Sequence, residues 1–321
     1  MLSGWLISAC HSDSYVRVEG MIWNTTYHIT FRGNPGLRDS ILATLNDVGK
    51  SLNVFDKSSV VSRVNDADSM IIDQRFAKVY EASRKVNIAS AGMFDPTLSP
   101  LISAWGFGPG HRMSADTVAI DSILSFVGLQ KTRLNGNFLV KDDRRTQFNF
   151  SAIAKGFGCD EVAAMLKRNG VSDFLVEIGG ELALSGESPR GGGWLVSIDM
   201  PILSDSTEIH DSCEIIEITD AGMATSGNYR NFRKEDGKTF GHTISPLTGR
   251  PVSTDVISAT VIAPSAMEAD AVATACMASG SVKSKSMLQN LRLEGMLILS
   301  DSSIWMSDGF SNHLRSLGAW K

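Results

Sequence analysis

The chain has 321 residues, enough for one large domain or two ordinary ones, and 43% of them are hydrophobic, which is a globular composition with ample material for a core. Its formal net charge is −5, and no Lys/Arg run offsets it, so a dedicated nucleic-acid binder is excluded. No apolar stretch approaches the ~20 residues that a membrane-crossing helix needs.

Met1–Cys10 reads MLSGWLISAC, an apolar run closing on Ile-Ser-Ala-Cys before a polar stretch. It resembles the end of a bacterial lipoprotein signal, in which the Cys after small residues receives the lipid, although a basic n-region is lacking and the run is very short. Residues 1–14 then form a signal remnant and tether with a lipid on Cys10, and the rest of the chain is one domain. The alternative is a frayed apolar start with an incidental Cys. The other three cysteines, Cys159, Cys213 and Cys276, are odd in number and fit no zinc spacing, so neither a disulfide framework nor a Cys-ligated metal is expected.

Tyr15–Arg32 alternates in part and is rich in Val, Ile, Thr and aromatics, which predicts one or two strands with Trp23–Phe31 as their core. Asn34-Pro35-Gly36 turns the chain into a helix over Leu37–Leu52, where Leu37, Ile41, Leu45 and Val48 have helical spacing. Ser51–Asn65 is mostly polar, with Phe55 and Asp56 at its centre, and Arg75–Ala91 reads as a second amphipathic helix. Gly92–Pro109 is dense in Gly, Pro and aromatics yet apolar, which suits a pocket wall better than a linker.

Beyond it, Ser122–Leu129 predicts a short helix, and LNGNFLVKDD a hairpin around its Asn-Gly turn. Phe148–Ser151 reads as a strand entering a helix over Ala152–Arg168. Phe174–Glu187 reads as strand, Gly-Gly kink, strand, and WLVSID as another strand. Pro201–Cys213 is a loop or insertion. Strands follow at Ile215–Thr219 and Gly222–Ser226, then a hairpin-like segment, a strand at Ile257–Pro264 and, from Leu288 to Trp305, a helix and two strands. Strands outnumber helices and rarely alternate with them, which predicts an α+β fold with a mixed, mainly antiparallel sheet.

The helix that follows Ile257–Pro264 is the most informative element. Ser265 with Glu268 three residues later forms a capping box, and the residues beyond are Ala, Val, Cys and Met almost all round, the mark of a buried helix. Asp270 and Thr274 interrupt it four residues apart, on one face. One reading is a carboxylate near a helix N-terminus with Thr274 bonded back to a carbonyl. The other is a metal site of hard oxygens suited to Mg²⁺. Three more stretches carry polar residues that packing does not explain: Ser151–Gly158 with Lys155, Gly222–Phe232 with Arg230, and Gly241–Val252 with His242. Lys155 in a small-residue segment can stand as a point charge near phosphate, or be an exposed lysine at a helix start.

Six of these stretches in one order resemble the FAD:protein FMN transferases, the ApbE family, over roughly Trp23 to Ser307. They are GMFDPTLSPLISAWGFGP, FNFSAIAKGFGCDEVA, FLVEIGGELALSG, ATSGNYRNF, HTISPLTGRPV and SATVIAPSAMEADAVATA. The resemblance implies a periplasmic lipoprotein that binds FAD and Mg²⁺. It joins FMN through its phosphate to a Thr or Ser of a target flavoprotein and releases AMP. The implied metal ligands are the Ala154 carbonyl, Asp270 and Thr274. FAD contacts are implied for Trp23, Phe55, Met93, Phe94, Asp95, Ser151, Lys155, Phe157, Asp160 and His242, with His242 also the general base. Acceptors implied by the family are subunits of respiratory ion-pumping flavin complexes. Where many members have Met-Gly-Thr this chain has Trp23-Asn24-Thr25, and Phe55 stands where many have Tyr, so a flavin-facing hydroxyl is absent. Two other readings share the site: an Mg²⁺-dependent FAD pyrophosphatase and a flavin-storing lipoprotein without catalysis.

Overall fold

A computed structural model of the chain describes residues 14–107, 117–200, 211–227, 232–235, 238–241 and 243–315. The alternating residues at its start fold back on themselves as β1 (Tyr15–Ile22) and β2 (Thr25–Arg32). Trp23 and Asn24 are the two turn residues between them, with φ of 48° and 64°. Both are left-handed, as a two-residue hairpin turn demands. Trp23 is therefore not part of a strand, as its sequence setting predicted, but the corner between two.

Six more strands extend this hairpin: β3 (Phe174–Ile178), β4 (Glu181–Ser185), β5 (Ala221–Gly227), β6 (Val256–Ala263), β7 (Glu294–Leu299) and β8 (Ile304–Met306). The eight lie side by side in chain order, each antiparallel to the next. The α+β, mainly antiparallel fold expected from the sequence is the fold observed. A three-stranded sheet of Trp194–Met200, Asp211–Ile218 and Leu314–Arg315 packs on one face. There Trp194, Ile198 and Ile216 close over Leu182, Met223 and Ile262 of the large sheet. Asp211–Cys213 thus starts a strand rather than ending a loop.

Helices cover the other face. The eight α-helices of the described residues are α1 (Arg38–Leu52), α2 (Val60–Asp66), α3 (Gln74–Ala89), α4 (Ser99–Ala104), α5 (Thr117–Leu124), α6 (Ala154–Arg168), α7 (Ala266–Ser279) and α8 (Ser281–Leu291). The stretch after α1 contains a helix, α2, that its polar composition hid, and α5 begins five residues before the predicted start. Ten of the 14 residues of α7 are buried, because it lies between β5 and β6 on one side and α3, α6 and α8 on the others. Its alanines let these neighbours approach closely, and apart from Asp270 and Thr274 the enclosed faces are apolar.

Phe148–Ser151 is not a strand. Its amides go to scattered partners, Phe148 N–H to Asn65 Oδ1 and Asn149 N–H to Pro96 O, so no ladder forms. Phe148 and Phe150 are fully buried and meet Phe76 edge-on at 5.5 and 5.0 Å. Burying each contributes about 1.5–3 kcal/mol, enough to fix the entry to α6 without a sheet. Among the described residues no helix is long and apolar enough to cross a membrane, and Cys159 and Cys276 are free and buried. Cys10 and His242 lie outside the described residues.

Candidate active site

The starts of α6 and α7 meet, and each closes the other. Asp270 of α7 accepts the Gly156 N–H of α6 at 3.0 Å through Oδ2. Asp160 of α6 accepts the Ala266 and Met267 N–H groups of α7, both at 2.9 Å. Ser265 takes the next amide, that of Glu268, at 3.2 Å, so the first-turn donors of α7 are satisfied. The capping box is half formed on this account: Asp160 does the work on the remaining amides. Burial raises the Asp160 carboxyl to about 6 despite those two bonds.

Two cavities open on this junction. The first, about 270 Å³, is lined by Trp23, Val54 and Phe55 and by Ser151, Ala154 and Lys155. The second, about 170 Å³, is lined by Met93, Phe94 and Asp95 together with Ser151, Ile244 and Thr274. Ser151 borders both. The glycine- and proline-rich stretch after α3 is a pocket wall, as expected, with α4 inside it. Asp95 contributes its wall position rather than its charge: its carboxylate accepts from the Thr97 amide and hydroxyl at 2.8 and 2.6 Å and from the Leu129 amide at 2.9 Å. Burial raises its pKa in spite of these bonds.

Beside the first cavity stands a charge cluster whose two carboxylates are buried. Lys155 Nζ is 2.7 Å from Glu181 Oε1 and 4.0 Å from Asp270 Oδ1. Burial lowers the lysine pKa, but Asp270 and Glu181 push it further the other way and it ends above the usual value. Burial raises both carboxyls, and Lys155 opposes this in each. Thr274, one turn along α7, has its hydroxyl 3.3 Å from that of Ser226 on β5.

Ala154 O, Asp270 and Thr274 Oγ1 are hard oxygens carrying one formal charge. Asp270 is 1% exposed, and its Oδ1 meets Lys155 only beyond hydrogen-bonding range. A buried carboxylate with spare lone pairs, one helical turn before a threonine hydroxyl, fits Mg²⁺.

Two implied contacts are not brought to either cavity. Phe157 is 2% exposed and packed in the core, because two positions beyond Lys155 is about 200° round the helix. Asp160 is spent on capping α7. Glu181 touches Lys155 and Ser226 touches Thr274, and sequence reasoning singled out neither. The available signal for Glu181 was an acid opening the strand ELALS, whose five residues are all buried.

An antiparallel sheet is backed by two mutually capped helices, and two cavities share Ser151, with Ala154 and Lys155 lining the first and Thr274 the second. The chain belongs to the ApbE family, whose model matches residues 23–297. It is 34% identical to the FAD:protein FMN transferase of Vibrio cholerae, over 97% of this chain and 94% of that one. The solved flavin transferase ApbE from Vibrio cholerae superposes with a TM-score of 0.84 at 30% identity, covering 94% of this chain and 99% of that chain. The apo flavinyl transferase ApbE from Pseudomonas stutzeri gives 0.83 at 27% identity, over 95% and 99%.

Proposed function

We propose that the chain transfers FMN from FAD to a Thr or Ser hydroxyl of an acceptor flavoprotein and releases AMP. The observation that carries this reading is the pair of cavities that share Ser151, with Lys155 lining the first, Thr274 lining the second, and Asp270 4.0 Å from the Lys155 ammonium. A dinucleotide spans two such spaces with its pyrophosphate between them. The aromatic first cavity suits the isoalloxazine and the second the adenosine end. Ala154 O, Asp270 and Thr274 Oγ1 would hold Mg²⁺. The ion would offset charge on the pyrophosphate and on the departing AMP.

The chain's own residues do the rest. Lys155 holds a non-bridging oxygen of the pyrophosphate as a point charge. The acceptor hydroxyl oxygen bonds to the FMN-side phosphorus, and the bond from that phosphorus to the bridging oxygen breaks, with the electron pair leaving on AMP. His242 takes the hydroxyl proton as general base; support for it is the family motif and the place of Thr243 and Ile244 on the second cavity. Acceptors of the respiratory ion-pumping kind, and attachment through Cys10 on the periplasmic side of a bacterial envelope, belong to the same proposal and rest on the family resemblance and on Met1–Cys10.

Incubation with FAD, Mg²⁺ and an acceptor domain tests it: the acceptor should gain the mass of FMN and fluoresce in a denaturing gel, with one AMP per transfer. A second reading, FAD pyrophosphatase, is favoured by the 63% exposure of Phe55, which leaves the first cavity open to water. Free FMN and AMP at the same rate with and without acceptor would select it.

A further inference from the structure

Glu181 has no part in the reaction derived above, yet it is the nearest anion to Lys155. It is 4% exposed, its Oε1 is 2.7 Å from Lys155 Nζ, and its Oε2 is buried without a hydrogen-bond partner. Its place is fixed from two sides. The Gly179–Gly180 turn, with φ of 63° and 102°, delivers it to the start of β4, and its carbonyl accepts from Cys159 Sγ on α6 at 3.2 Å. The lysine is guided as well. A Cβ on Gly179 would meet Lys155 Cδ at 3.2 Å and Thr25 Oγ1 at 2.8 Å, so the side chain runs against bare backbone to reach Glu181.

One ammonium therefore stands among two buried carboxylates and is drawn to the one that is not a metal ligand. Asp270 Oδ1 is 4.0 Å from the same Nζ, so a shift of about an ångström would pair them directly. Such a pair competes with any cation for the single charge of the donor set. We infer that Glu181 is a positioning residue: it holds the Lys155 ammonium off Asp270, keeping that carboxylate free for the divalent cation and the ammonium on the wall of the first cavity. The inference rests on the metal assignment proposed above.

If Glu181 works through Lys155, replacing it by Gln leaves the ammonium with Asp270 as its nearest anion, and divalent binding weakens. The measurement is direct titration of the FAD-free protein with Mn²⁺, followed by electron paramagnetic resonance, with Mg²⁺ competition as the second readout. Glu181→Gln should weaken Mn²⁺ binding about tenfold, the scale of coupling between charges in contact. In a Lys155→Met background the same substitution should change binding less than twofold, since the group it acts through is gone. An equal loss in both backgrounds would mean that Glu181 acts by its own charge, which overturns the inference. Should Glu181→Gln fail to fold, Glu181→Asp carries the test, because its carboxylate falls a methylene short of the ammonium; intermediate weakening is expected and none overturns the idea. Mn²⁺ binding in the wild type that Asp270→Asn does not abolish would bring down the metal assignment itself. Asp270-dependent binding that Glu181→Gln leaves unmoved would bring down only the role of Glu181.

Discussion

Asp270 Oδ2 accepts the Gly156 N–H at 3.0 Å, so a side chain of α7 closes the first turn of α6. Asp160 returns the arrangement by accepting two amides of α7. Each helix start would otherwise leave buried donors unpaired, at a cost of about 1–3 kcal/mol for each. The exchange also fixes distance, because the donors proposed for the cation come from both helices. Packing and chemistry are thus the same contact here.

The closeness of that contact depends on Gly156. A Cβ there would lie 2.2 Å from Ala266 O and 2.6 Å from Ala266 C, backbone atoms that cannot turn aside as a side chain can. Gly156→Ala should lose about 3 kcal/mol or more of unfolding free energy in urea, at the upper end of overpacking costs. Wild-type stability would show that the two helix starts are looser than described.

Removing metal donors should separate charge from shape. Asp270→Asn keeps an oxygen for the Gly156 amide but removes the only formal charge of the donor set, so AMP release should vanish while the melting temperature stays close to wild type. Thr274→Val keeps the shape and removes one neutral donor and its Ser226 partner, so activity should fall less and recover at high Mg²⁺. Turnover of Asp270→Asn at wild-type rate in low Mg²⁺ would refute the assignment.

What the sequence made legible was local. Ser265 and the apolar run behind it marked the cap and burial of α7, and Gly179-Gly180 marked a break between two strands, which the fold makes the turn of a hairpin. Phe148–Ser151 misled because aromatic, alternating residues also suit a segment buried among loops, and only the absence of a pairing neighbour distinguishes the two. The family motif named Phe157 and Asp160, but helical phase turns one into the core and the other onto α7. Glu181 was hidden because the approach of β4 to α6 joins residues 26 positions apart in sequence, beyond any periodicity, at a 2.7 Å ion pair.

Asp160 gives the fold a pH signature. Its carboxyl is raised to about 6 from an ordinary 3.8, burial being the chief cause. Between those values the folded state holds a proton that the unfolded state has released, so the contribution of this group to stability grows as pH falls from 6 toward 4 and is lost as pH rises through 6. The non-titrating Asp160→Asn serves as reference. The wild-type minus mutant difference in unfolding free energy, from urea melts, should increase from pH 7 to pH 4. A flat difference would mean an ordinary carboxylate.

The two aromatics of the first cavity, Trp23 and Phe55, differ in freedom. Trp23 is wedged: a Cβ on Gly49 would lie 2.8 Å from its Nε1, and one on Gly158 would lie 2.6 Å from its Cη2. Phe55 is 63% exposed and held through its backbone, whose N–H goes to Asn53 Oδ1 at 3.0 Å. The free ring is the one able to close over a bound flavin while the wedged one serves as a fixed wall. A transferase loaded with FAD must wait for its acceptor, so excluding water from the pyrophosphate protects the substrate. Phenylalanine supplies the covering face without the tyrosine hydroxyl. Phe55→Asn removes that face and should raise acceptor-independent release of FMN and AMP, while acceptor labelling falls. The assay is AMP production by chromatography, with FAD and Mg²⁺ present and the acceptor omitted. If the wild type already hydrolyses FAD as fast as the mutant does, Phe55 shields nothing, and water rather than a protein hydroxyl is the natural nucleophile of this site.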